Sequence, residues 1–142
     1  AELKKGRAIL TFPAGKIEPD PRVMPGAMES LANWAESTGL LMRLVPGLRI
    51  VPTIVSGVVS AAAQKSWLTR LRRTPKDRER LAAALQIMVP RFRKVDVYLA
   101  FGPALTIDDC GGAQADATTM TQVVTSHARQ LIEQPPTVWR PI

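Results

Sequence analysis

Apolar positions along this chain change period several times, and each change marks a predicted element. Residues 8–12, Ala-Ile-Leu-Thr-Phe, form a short unbroken apolar run closed by Pro13 and Gly15, which predicts a buried strand. Residues 13–26 hold four prolines and two glycines and read as a stiff loop. From Ala27 to Val45 the period becomes helical, with Met28, Leu31, Ala32, Ala35, Thr38, Met42 and Val45 on one stripe widened by Trp34 and Leu41. Gly39 is expected to weaken this helix, and Pro46-Gly47 stops it. Residues 49–55, Arg-Ile-Val-Pro-Thr-Ile-Val, are β-branched and predict a second strand, with Pro52 pointing to an edge, a strand end or a bulge.

Residues 58–73 fit neither period, with Trp67, Leu68 and Leu71 set among bases. Thr74-Pro75 is a helix start, with Thr as N-cap, Pro at the first helical position and Asp77 in the first turn. Leu81, Ala84, Leu85 and Met88 supply its apolar face, and Pro90 closes it. Residues 95–101 alternate and predict a third strand ended by Gly102-Pro103. A polar loop over 106–115 leads to a last helix over 116–134, with Ala117, Met120, Val124, His127 and Leu131 on one side and Pro135-Pro136 after it. Alternating strands and helices predict an α/β fold with a small mixed sheet. Three strands make a thin sheet, and an apolar strand such as 8–12 wants cover on both faces. The expectation is therefore a single but incomplete domain over residues 1–142, whose neighbouring strands lie elsewhere.

Charge sharpens this picture. The 142 residues carry a formal charge of +7, from 19 Lys and Arg against 12 Asp and Glu. Residues 1–64 contribute +2 and residues 95–142 contribute −3. Residues 65–94 hold ten bases and two acids, net +8, so one segment carries all the excess. A local positive field favours an anionic partner: small-molecule phosphate, nucleic acid or an anionic membrane surface. The mixture Lys65, Trp67, Leu68, Arg70, Leu71, Arg72, Arg73 suits a headgroup region, with Lys65, Arg70, Arg72 and Arg73 as candidate contacts to anionic lipid or phosphate. A solvated basic face is the plainer alternative. Nucleic acid ranks below both, because no helix-turn-helix, aromatic RNA-binding pair or zinc finger is recognisable.

Little else carries chemistry. A single cysteine, Cys110, excludes a disulfide framework and a multi-cysteine zinc site; set in Asp-Asp-Cys-Gly-Gly, it reads as a free surface thiol. The single histidine, His127, has no carboxylate at i±3 or i±4 and reads as a packing residue. Asp108 and Asp109 lack the spacing of a calcium loop, so no metal site is expected. No apolar run reaches about 18 residues, the length of a membrane-crossing helix. The segment 12–20 is the most informative: a strand runs into a Pro/Gly turn bearing Lys16, Glu18 and Asp20. Lys16 can meet a phosphate as a point charge, while Glu18 and Asp20 can orient a base or bind a hydroxyl.

Ile9-Leu10-Thr11-Phe12-Pro13-Ala14-Gly15 resembles the Phe-Pro-Glu-Gly motif of the glycerolipid acyltransferases, the lysophosphatidic acid acyltransferase family. Leu3 to Gly6 resembles the helix end that leads into that strand, and Ala27 to Gly39 resembles the helix that follows. Ile50 to Gly57 resembles the family's Val-Pro strand, which closes on a small residue and glycine. Val95 to Pro103 resembles a later strand that precedes a C-terminal helix. The resemblance implies an acyltransferase fold, acyl-CoA or acyl carrier protein as co-substrate rather than a bound cofactor, and a lipid hydroxyl as acceptor. It implies a substrate-binding loop at Phe12, Pro13, Gly15, Lys16 and Glu18, supported by Val51 and Pro52. The family's general base is a His-x-x-x-x-Asp pair upstream of this strand; His127 is followed by Ile132 at that spacing. The chain thus resembles the C-terminal portion of such a domain, expected to be inactive alone. The family's Glu is Ala14 here and its Thr-Arg is Lys16-Ile17, so Lys16 is the nearest cation and Glu18 the nearest carboxylate to stand in. A cytoplasmic, peripherally membrane-associated protein is the corresponding expectation. The alternative is a basic module without catalysis that binds anionic lipid surfaces.

Overall fold

The computed structural model describes residues 2–134. It is a mixed helix and strand structure: α1 (Ala27–Ser30), α2 (Ser37–Leu44), β1 (Thr53–Ser56), α3 (Ala61–Gln64), α4 (Trp67–Arg70), α5 (Pro75–Met88), β2 (Tyr98–Phe101) and α6 (Ala117–Glu133). Short 3-10 turns lie at Leu3–Lys5, Leu31–Asn33, Pro90–Phe92 and Asp108–Cys110. The predicted stop at Pro135-Pro136 lies outside the described residues. The chain groups into two compact units.

The first unit takes residues 2–18, 26–54 and 100–134. Its core is Met42, Leu105, Cys110, Met120 and Val124, with Trp34, Leu48, Ile50 and Ile107 packed around it. Burying a side chain of this size stabilises the fold by about 1.5–3 kcal/mol. Helices α2 and α6 form the main contact. Gly39 lies inside α2, buried, and donates its N–H to Thr121 Oγ1 at 3.1 Å. A Cβ there would collide with the Ala117 carbonyl oxygen. Gly39 lies inside α2 and does not end it, and the missing side chain is what lets the two helices touch. Asp116 caps α6 by accepting the Thr119 N–H at 2.7 Å. That bond holds the Asp116 carboxyl below its usual range.

Three expectations change in this unit. Residues 8–12 are not a buried strand. They run without secondary structure, Leu10 is 77% and Phe12 75% exposed, and no strand pairs with them among the described residues. The 27–45 helix is broken after Asn33, because Trp34 turns extended and the Ala35 N–H is taken by the Pro13 carbonyl at 3.1 Å. Cys110 is free but wholly buried, packed as a small apolar side chain. Desolvation first, and the Asp109 carboxylate second, push its thiol up.

The predicted strands 49–55 and 95–101 shrink to β1 and β2, which pair antiparallel in a two-stranded sheet. An isolated antiparallel bridge, Ile50 to Leu105, extends the register beyond the strand ends. Gly102 donates to the Pro52 carbonyl at 2.8 Å, so Pro52 offers the acceptor it has and is not asked for the N–H it lacks.

The second unit takes described residues 19–25 and 55–99. Ala63, Ala82 and Phe92 form its core, flanked by Leu85 and Val89. Helix α5 starts as predicted, with Thr74 Oγ1 accepting from the Asp77 N–H at 3.1 Å and Pro75 in the first turn. Its buried face is centred on Ala82 rather than Met88, which is 75% exposed. The cause is packing against α3: Ala63 and Ala82 are both fully buried, and only methyl-sized side chains allow so close a contact. Gln86 closes the other end, accepting from the Ser60 N–H at 2.8 Å and donating to the Val58 carbonyl at 2.9 Å.

Two outcomes follow from the α2–α6 contact and the buried thiol. Gly39→Ala is expected to lower the unfolding free energy by about 1–3 kcal/mol, read by urea denaturation. Cys110 is expected to resist a disulfide reagent at neutral pH in the native protein and to react at once after denaturation.

Candidate functional site

Site residues in the first unit centre on the turn after Phe12. Gly15 donates its N–H to the Phe12 carbonyl at 3.0 Å, closing a tight turn through Pro13 and Ala14. Gly15 has φ 61°, a left-handed conformation that costs glycine nothing. Lys16 and Ile17 project from this turn, Ile17 with 90% of its surface exposed. Lys16 makes no hydrogen bond or ion pair among the described residues. It therefore presents an unspent ammonium group.

Glu18 behaves differently. Its Oε1 accepts from Ser30 Oγ at 2.9 Å and from Trp34 Nε1 at 3.0 Å, and its Oε2 lies 3.2 Å from the same indole nitrogen. The carboxylate pins the turn to the start of the helical segment. Ser30 and Trp34 were not foreseen as its partners. Trp34 sits on the predicted apolar stripe, and nothing in the local pattern shows that its N–H needs an acceptor, as a half-buried indole does. Among the described residues Val51 is exposed and Pro52 is buried, the latter bonded to Gly102. The same unit has an open, mostly apolar pocket of about 260 Å3 lined by Leu3, Ile9, Leu41, Leu44 and Val45 together with Glu2 and Lys4.

In the second unit Asp20 is a buried carboxylate that accepts three backbone N–H groups. Arg22 and Gly57 donate to Oδ1 at 3.0 Å each, and Val59 donates to Oδ2 at 3.1 Å. Gly57 has φ 76°, and a Cβ there would strike the Asp96 carbonyl oxygen. This is the turn after β1, so Asp20 fastens the middle of the Pro/Gly loop to the end of the Val-Pro strand. Arg22 also stacks over the Tyr98 ring at 4.0 Å. Asp20 is thus a bracket, with both carboxylate oxygens held on backbone amides.

Lys65, Arg70, Arg72 and Arg73 are all exposed, and none forms an ion pair among the described residues. No group of three or more His, Cys, Asp or Glu residues there is arranged to hold a metal ion. No helix among the described residues is long and apolar enough to cross a membrane. His127 Nδ1 lies 3.0 Å from the Val123 carbonyl, an arrangement internal to α6.

Comparison with protein-family models, with curated proteins and with solved structures returns no match. Asp20→Ala strands three amide donors in a buried place. It is expected to destabilise the protein by about 2–3 kcal/mol. Glu29→Ala, at an exposed position of α1, serves as the control, and thermal unfolding of both variants is the measurement.

Proposed function

We propose that this chain is part of a glycerolipid acyltransferase, which moves an acyl group from acyl-CoA or acyl carrier protein to the hydroxyl of a lipid acceptor. The observation that carries the reading is the turn at Phe12–Gly15. It is closed on itself, anchored through Glu18, and leaves Lys16 as a free cation, in a unit that also has an apolar pocket. An exposed point charge and an apolar recess within one unit would suit an acceptor that has an anionic head and a hydrocarbon tail.

In the reaction the acceptor oxygen attacks the thioester carbonyl, the C–S bond breaks, and the hydroxyl proton passes through a general base to the departing thiol. The family's His-x-x-x-x-Asp pair would be that base. It is not found in residues 1–142, and in this reading those residues alone do not turn over. Lys16 would hold the acceptor's phosphate as a single charge, without the two-pronged grip an arginine gives. Glu18 and Asp20 would shape the loop and not touch the reacting atoms, since both carboxylates are already engaged.

A second reading is favoured by the unpaired bases at Lys65, Arg70, Arg72 and Arg73: a lipid-binding module without catalysis. The two differ in turnover. Thiol release from acyl-CoA, and from acyl carrier protein, is measured for the full gene product with water-soluble short-chain glycerol phosphate acceptors. Acceptor-dependent release is expected, with Lys16→Ala raising the acceptor KM about tenfold. No release with any acceptor and either donor would leave the lipid-binding module as the function. Release by residues 1–142 alone would overturn the assignment of the base.

A further inference from the structure

The second unit displays three large apolar side chains together at one place. Thr69 is fully buried, and its hydroxyl donates to the Ala63 carbonyl at 2.6 Å. The Thr69 N–H and the Arg70 N–H both go to the Ser66 carbonyl, at 3.0 and 3.2 Å. Helix α4 is therefore held by its one inward residue, and its other side chains are displayed. Trp67 and Leu71 are each 69% exposed, and Leu68 is also exposed. Positions i, i+1 and i+4 of one turn bring these three to a common outer side. Lys65, Arg70, Arg72 and Arg73 flank them, and residues 65–76 contain no acid at all.

We propose that residues 65–73 dock the protein on an anionic bilayer. Trp67, Leu68 and Leu71 enter the headgroup region while Lys65, Arg70, Arg72 and Arg73 meet lipid phosphates and carboxylates. The inference rests on the reading that this protein acts on lipid, and it names the surface on which it does so. Two features select a bilayer over other anionic partners. Unpaired cations are drawn to an anionic leaflet by roughly one factor of five in binding for each charge near the surface. The exposed indole and two leucines need an apolar depth beneath that charge, which the interfacial zone supplies and a nucleic-acid backbone does not. Thr69 fixes the wedge in place, so little ordering has to occur on contact.

The test is co-sedimentation of the full chain with vesicles of phosphatidylcholine alone, or of phosphatidylcholine with phosphatidylserine, at low and high salt. Binding only to the anionic vesicles, reduced by salt, is expected. Trp67→Ala is expected to weaken it about tenfold, and each Arg→Gln change at 70, 72 or 73 about fivefold. Trp67→Phe keeps most of the binding but removes the fluorescence quenched by bromine-labelled acyl chains. All of these side chains are exposed, so equal melting temperatures confirm that folding is untouched. Equal binding to neutral and anionic vesicles would overturn the proposal. So would unchanged binding by Trp67→Ala, or RNA binding that displaces vesicles and ignores Trp67→Ala. The assay needs no turnover, and the transfer assay uses soluble acceptors, so either can fail without the other.

Discussion

Helices α2 and α6 approach so closely at Gly39 that no side chain fits between their backbones, and the first unit is arranged around that contact. Once α2 lies there, Met42 faces Met120 and Val124 across the seam, and Leu105 and Cys110 fill the space beside them. The start of α2 is fixed too. Thr118 Oγ1 donates to Glu36 Oε1 at 2.7 Å, which tethers the turn before the helix. Trp34 lies just ahead of that tether, and its indole N–H holds Glu18. The turn carrying Lys16 is thus suspended, through the Glu18 carboxylate and the Pro13 carbonyl on the Ala35 amide, from the packing of two helices. Loss of the seam would be felt at the loop without any loop residue being changed.

The second unit rests on a different economy. Its core is made from two alanines and one phenylalanine, so there is little room inside for large side chains. Exposure of Trp67, Leu71, Ile87 and Met88 is the geometric result of that small interior. Polar bonds do much of the joining. Gln86 bridges to Val58 and Ser60, Thr69 to Ala63, and Asp20 to Gly57 and Val59. These bonds depend on direction, and they fix segments that apolar contact alone would leave free to slide.

Elements whose signals are local were legible from the sequence. Helix α6, the Thr74-Pro75 start of α5 and the loop over 13–26 all follow from spacing, caps and proline. What was not legible depends on partners far along the chain. Nothing within 8–12 reveals whether a neighbouring strand will meet it. Nothing near Asn33 reveals that Pro13 will take the Ala35 amide. Cys110 looked exposed because its neighbours are polar, yet the 3-10 turn at Asp108–Cys110 points those neighbours outward and the thiol inward. The same division holds for the site. The exposure of Lys16 could be anticipated from a Pro/Gly turn. The engagement of Glu18 could not, since its partners lie 12 and 16 residues on.

The bare segment at 8–12 bears on how copies of this protein treat one another. An exposed apolar run whose backbone groups, the Phe12 carbonyl apart, have no partner among the described residues is a template onto which a like segment can add, and repetition of that step leads to aggregates. The opposing force is already present in the charge. Seven excess positive charges make two copies repel at distances comparable to the Debye length, about 8 Å at physiological ionic strength. The basic segment therefore has a colloidal role apart from any ligand. Salt, anionic polymers or basic-to-neutral substitutions that shield it also lower the barrier that keeps one 8–12 run away from the next.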